Sequence, residues 1–325
     1  MNLAHRPEEP VLGGASGGGV TQHRLFYGGA VNQRVEEKMD ELEHVLAVQN
    51  KLGEGPIWDS EAQVLYWVDI EPGRFHRLDP ATGEHQVFDV GLPLGALALR
   101  ASGGLVMATR DGFAFWDPET EPLRFIADPE ADRPGARFND GAVDRQGRFW
   151  AGTLGQGPTS SLYRLDPDGS VHTMEMGVTT SNGIGWSPDD RTMYYTDSPL
   201  RVIYAYDFDP ATGAIANRRP FIHTPDEEGV PDGLTVDGEG FIWSARWGGW
   251  KVTRYDPAGK PEREIRMPVQ YPTSCTFGGP ALDELYITSA WIKLSEAGRK
   301  EQPQAGDLFR LRAGVKGLEE PRFLG

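Results

Sequence analysis

Cysteine is nearly absent: Cys275 is the single one in 325 residues, so no disulfide can form within the chain and the fold must rest on its apolar core. A reducing, cytoplasmic setting is expected. Long hydrophobic runs are also missing, the apolar pieces being as short as Leu94 to Leu99 where a membrane helix needs roughly 18 residues. The N-terminal residues carry no apolar signal-peptide stretch. Positive charge is scarce too, with 32 Lys and Arg against 48 Asp and Glu, a net charge of −16 and no local basic patch. Such a surface repels phosphate backbones and anionic headgroups, which excludes nucleic acid and membrane surfaces as partners.

Turn residues, by contrast, are abundant. With 41 glycines and 25 prolines, helix interiors are disfavoured, while an architecture of many short strands needs both residues at its corners. Nine tryptophans and ten tyrosines suit strand packing. The length allows two ordinary domains or one large all-β domain. The internal repeat decides for the second.

A short apolar strand ending in small or hydroxyl residues recurs six times: at Leu65–Asp69, Leu105–Thr109, Phe149–Thr153, Met193–Asp197, Phe241–Ala245 and Leu285–Ser289. The second residues of these segments are spaced 40, 44, 44, 48 and 44 apart. A further strand follows each and closes in an acidic turn. Five of these turns read Asp-Pro: Asp79-Pro80, Asp117-Pro118, Asp166-Pro167, Asp209-Pro210 and Asp256-Pro257, where the carboxylate caps the turn and proline presets the next φ. Units of about 44 residues, six in number, predict an all-β, six-bladed β-propeller around a central channel. The segment Glu41 to Val48 is expected to close the ring as a strand of the last blade, although Val35 to Leu46 also carries apolar residues at helical spacing. Residues 1–40, with their run of glycines, are expected to form a tail outside the propeller of residues 41–325. The charged, helix-compatible stretch Trp291 to Gly306 reads as a surface loop in the last blade.

Before each apolar strand lies another whose start should face the channel mouth: Glu54, Leu94, Asn139 with Asp140, Asn182, Asp232 and Ser274. A glycine follows in five of the six, as expected where a side chain would crowd the axis. Carboxylates and amides aimed at one axis conflict unless a hard cation lies between them. Zinc sites usually recruit histidine or cysteine, and the seven histidines fall in the tail or on outer strands and turns. An oxygen-only site suits calcium, magnesium or manganese, with zinc or Fe(II) possible through carboxylate and water ligands. Each Asp-Gly or Asn-Gly alone is an ordinary turn dipeptide. Their shared position, with the residue type varying from blade to blade, sets them apart.

The segments Leu52-Gly53-Glu54-Gly55-Pro56-Ile57-Trp58, Arg137-Phe138-Asn139-Asp140-Gly141, Ser181-Asn182-Gly183-Ile184, Pro231-Asp232-Gly233-Leu234 and Thr273-Ser274-Cys275-Thr276-Phe277-Gly278-Gly279 resemble the SMP-30/gluconolactonase/luciferin-regenerating-enzyme family, over about residues 42 to 325. The resemblance implies one divalent metal ion held by Glu54, Asn182 and Asp232, with Arg137 and Asn139 contacting a sugar. It implies metal-dependent hydrolysis of a small sugar-acid lactone, Asp232 also serving as general base. An acidic substrate contact that animal members carry in a third-blade loop has no counterpart in Leu154 to Ser160. Two rival readings are a phosphotriesterase-type hydrolase on the same metal site and a non-catalytic calcium-binding propeller. The expected assembly is a monomer or weak homo-oligomer.

Overall fold

The computed structural model describes residues 41–117, 123–133, 135–225 and 228–325. The expected tail of residues 1–40 and Pro118 of the second corner lie outside the described residues. The described chain forms six antiparallel four-stranded sheets, each paired in simple sequence order except the last. The first strands, Gly53–Asp59, Leu94–Leu99, Arg137–Val143, Ser181–Trp186, Val230–Val236 and Pro272–Gly278, lie against one another around the axis. This is the six-bladed propeller.

The apolar repeat becomes the second strand of every blade, where both faces are covered by neighbouring sheets. Trp67, Trp150, Trp243 and Tyr286 are therefore fully buried, and these strands read as continuous apolar runs instead of alternating patterns. Six apolar clusters result, one at each interface between adjacent blades. Outermost strands such as Glu84–Asp89 meet solvent on one side and carry the polar residues.

Ring closure follows the expected course. Strand Glu43–Leu46 pairs antiparallel with Leu308–Arg312, so the sixth sheet combines the two ends of the described chain. His44 Nε2 sits 2.8 Å from Asp307 Oδ2 beside that seam. At the blade corners Asp79, Asp209 and Asp256 accept backbone N–H groups two residues on, at 2.8, 3.0 and 2.9 Å. Asp166 instead grips Arg164 through both oxygens.

Beyond Leu308–Arg312 the chain crosses the end of the channel away from the strand starts. Gly317 N donates to Leu282 O, Arg322 Nη2 to Asp59 Oδ1, Phe323 N to Leu99 O and Leu324 N to Gly147 O. This segment thus straps several blades together. It also floors a small internal cavity of about 100 Å³.

Candidate metal and substrate site

All six inner strands carry the same irregularity at the same place. Their register shifts fall between Glu54 and Ile57, Leu94 and Ala96, Phe138 and Asp140, Asn182 and Ile184, Pro231 and Leu234, and Pro272 and Cys275. A bulge re-aims the side chains beside it. Here it lies beside Glu54, Asn182 and Asp232, whose side chains reach the cavity at the channel mouth. The following glycines serve a purpose different from the one expected of them: a Cβ on Gly95 would lie 2.5 Å from Phe138 C and one on Gly233 2.2 Å from Ser274 Oγ. Gly95, Gly183 and Gly233 thus spare the neighbouring inner strand, whereas Gly141 is crowded first by Trp150 O of its own blade and Gly55 stands in open space at a φ of +49°.

Glu54, Asn182 and Asp232 come together with Arg137 and Asn139 on the lining of one cavity of about 990 Å³. The other mouth candidates go elsewhere. Leu94 is buried in the cluster between blades 1 and 2. Asp140 and Ser274 line the smaller cavity beneath.

The floor is electrostatically uncomfortable. Burial, reinforced by the charges of Asp232 and Asp140, holds the Glu54 carboxyl well above its ordinary value, against weaker help from the Gly55 N–H and Arg137. Asp232 is likewise pushed well up by burial and by Asp140, opposed by the Gly233 N–H. Asp140 rises to about 6 through burial, opposed by the Gly141 and Gly183 N–H groups. Three buried acids within electrostatic reach of one another destabilise each other's charged forms.

Above them runs a chain of hydrogen bonds. Arg137 Nη1 donates to Asn139 Oδ1 at 2.8 Å; Asn139 Nδ2 donates to Asn182 Oδ1 at 3.0 Å and to Ser181 O at 2.8 Å; Asn182 Nδ2 donates to Ser198 Oγ at 2.8 Å. The Asn182 carboxamide is thereby fixed, and its oxygen keeps acceptor capacity. Both N–H bonds of Asn139 are already in use. Burial lowers the pKa of Arg137, with Glu71 and Glu54 acting against it; its Nη2 lies 3.8 Å from Glu71 Oε1.

Among the described residues no group of three or more His, Cys, Asp or Glu side chains is arranged to hold an ion. The converging set is two carboxylates and a carboxamide. Its buried, mutually repelling acids and fixed amide oxygen fit a hard divalent cation, because a positive charge between them would relieve the conflict. The described histidines all stand away from it, on outer strands of the blades. Cys275 is buried and free, with its Sγ 3.6 Å from Trp243 O, and burial lifts the thiol far above its ordinary value. That is a packing role.

Two parts of the cavity escape sequence reasoning. The stretch from Trp291 contains a short helix, Glu296–Glu301, capped by Ser295, yet Ile292 and Lys293 ahead of it form part of the cavity wall. An apolar pair at Trp291-Ile292 inside a charged stretch was the available signal. Glu130, from the connection between blades 2 and 3, also lines the cavity, and no repeat or motif marks it.

Six blades with an acid-floored, ligand-sized cavity at one end of the channel define a propeller of the small-molecule-binding kind. The chain belongs to the SMP-30/gluconolactonase/LRE-like family, whose model matches residues 52–291. It is 39% identical over 294 residues to regucalcin of Xenopus laevis, covering 87% of this chain and 98% of that one. It is 38% identical over 280 residues to pentonolactonase XacC of Haloferax volcanii, covering 84% and 94%. Among solved structures, a calcium-binding regucalcin from Agrobacterium tumefaciens aligns with TM-score 0.83 at 32% identity over 86% of this chain and 96% of that one. No helix among the described residues is long and apolar enough to cross a membrane.

Proposed function

We propose that the protein is a lactonase that opens a sugar-acid lactone to the aldonic acid in the mouth cavity. The observation that carries this reading is the pairing of buried, mutually repelling Glu54 and Asp232 with the fixed Asn182 amide, on the lining of a cavity that also presents the Arg137 guanidinium. The pentonolactonase relative supports the substrate class.

Glu54, Asn182 and Asp232 would hold one divalent cation, their all-oxygen set suiting calcium, magnesium or manganese, with zinc or Fe(II) also compatible. When bound, such an ion supplies electrophilic assistance at the lactone carbonyl. The chain's own residues do the rest. Asp232, on the lining of the cavity, takes a proton from the water that attacks the carbonyl carbon. The bond from that carbon to the ring oxygen breaks, the ring oxygen gains a proton, and one lactone plus one water becomes one hydroxy acid.

Arg137 presents paired donors that match the carboxylate formed. Asn139 acts chiefly by position, because its two N–H bonds already hold Asn182 and the Ser181 carbonyl while its oxygen holds Arg137. A pH-indicator assay over arabino-, xylo-, galactono- and gluconolactones tests the reading. Turnover of at least one lactone by wild type, lost in Asp232→Ala with the fold intact, is expected; full turnover by the folded variant at saturating metal would refute it.

A further inference from the structure

The wall of the mouth cavity has two sides of different chemistry. Arg110, Asp111, Asp128 and Arg137, from blades 2 and 3, make one side charged. Across the channel, blades 5 and 6 and the start of blade 1 supply Val230, Trp247, Ile292 and Leu52, a mainly apolar side that Lys293 borders.

Trp247 is the largest side chain on the apolar side, and the mechanism does not use it. It ends strand Ile242–Trp247 and pairs with Val230 of the adjoining strand. Its ring meets that of Tyr271 with centroids 4.5 Å apart and planes tilted by 46°. Together with Tyr271 and Ile292 it packs against the buried cluster that includes Leu52 and Ala290. These contacts fix the indole. Trp150 and Trp243 in the core are fully buried, with their N–H groups on Asp144 and Asp237. Trp247 is only partly buried, and the surface it keeps lies on the cavity wall.

A tryptophan left partly open to water forgoes some of the free energy that burial would supply, and a fixed aromatic ring offers contact area at little cost in conformational entropy. Such anchors carry a large share of binding energy where a ligand covers them. A sugar lactone is two-sided in the same sense as the cavity. Its hydroxyls and carbonyl form a polar rim, while the C–H groups of one ring face are apolar.

We propose that Trp247 is the platform on which the C–H face of the lactone ring rests, its polar rim turned toward the floor and Arg137. The proposal rests on the lactonase reading, and it makes Trp247 a residue that positions substrate without touching the reacting bond. A purely structural Trp247 would only cap the apolar cluster, which leucine or phenylalanine could also do.

Trp247→Leu keeps an apolar side chain but removes the flat ring; Trp247→Phe keeps a smaller ring. The experiment measures kcat and KM on the lactone panel for wild type and both variants, with thermal midpoints. Calorimetry gives the Kd of 1,5-anhydroalditols, which keep the ring and have no carbonyl to open. Acrylamide quenching of tryptophan fluorescence, with and without anhydroalditol, reports the contact itself, Trp247 being the tryptophan in the cavity lining. Expected is a rise in KM and in Kd of about tenfold for Trp247→Leu and about threefold for Trp247→Phe, the loss carried by KM more than by kcat. Bound anhydroalditol should shield part of the wild-type fluorescence and none in either variant. Wild-type KM and Kd in Trp247→Leu overturn the proposal, as does a lowered midpoint with binding per folded molecule unchanged. Shielding that persists in Trp247→Phe also overturns it. If Trp247→Leu does not fold, Trp247→Phe carries the test on the same readouts. Should wild type open no lactone, the functional reading fails on its own, and the anhydroalditol titration still decides on Trp247: weaker binding by the variants supports the platform, equal binding or none removes it.

Discussion

Asp232 and Asp237 mark the two ends of one inner strand, Val230–Val236, and both are buried, yet the fold treats them in opposite ways. Asp237 accepts from Glu239 N, Phe241 N, Trp243 Nε1 and both Nε and Nη2 of Arg254, at 2.7 to 3.0 Å. Asp232 has only the Gly233 N–H to offset its burial and the charge of Asp140. Blade 3 repeats the contrast. Asp144, just past the end of its inner strand, accepts from Gln146 N, Arg148 N, Arg148 Nε and Trp150 Nε1, whereas Asp140 at the channel has backbone N–H groups alone. A satisfied buried acid belongs to the fold; an unsatisfied one is held ready for something that binds.

The sharpest way to break that comparison is to neutralise each member. Asp232→Asn should lower lactone turnover by about a thousandfold, which is ~4 kcal/mol of transition-state stabilisation. The metal-free thermal midpoint should hold or rise, because a repelled charge is gone. Normal turnover with a lowered midpoint would reverse the assignment. Asp237→Ala should do the opposite, costing about 3–5 kcal/mol of stability because Trp243 Nε1, Arg254 Nε and two backbone N–H groups lose their buried acceptor, although Glu239 and Glu262 keep the Arg254 charge paired. Denaturant titration reads that loss, and turnover per folded molecule should match wild type. A change within ~0.5 kcal/mol would mean the Asp237 network is ornamental.

Smaller effects sharpen the picture. Arg137→Lys keeps the charge but removes the paired donors and the hold on Asn139, so kcat/KM should fall roughly 10- to 100-fold. An unchanged kcat/KM would place Arg137 outside the substrate's reach. The smallest effect concerns pH in chelator. Asp140 prefers to be neutral in the fold, so its contribution to stability is complete below its ordinary value of 3.8 and is lost as pH rises through about 6. Asp140→Asn should flatten that part of the stability curve; an identical slope in both proteins would remove Asp140 from the floor.

Much of the fold was legible because its signals are local. The six apolar second strands, the Asp-Pro corners and the closing strand Glu43–Leu46 each follow from a few adjacent residues. Position within the repeat brought Glu54, Asn182 and Asp232 to one cavity. The rest depends on pairing between segments distant in sequence. A bulge is a mismatch between two strands, so the register shifts that aim the mouth residues are invisible in either strand alone. For the same reason Asp140 could not be separated from Asn139, although they line different cavities. The glycines were noticed, but Gly95 owes its identity to the backbone of Phe138, more than forty residues away. Glu130 lies in a connection between blades that no repeat marks.

The central claim is that the acids at the mouth are kept short of partners so that a divalent cation can bind. The direct test is to strip the protein with chelator and add calcium, magnesium, manganese, zinc or Fe(II) singly to wild type and Asp232→Asn, following thermal midpoint and lactone turnover together. At a hundredfold excess over Kd, binding to the folded state alone contributes about 2.7 kcal/mol. The account predicts that at least one ion raises the wild-type midpoint by several degrees and restores turnover, with neither response in the variant. Unchanged midpoint and undiminished turnover after exhaustive metal removal would contradict it.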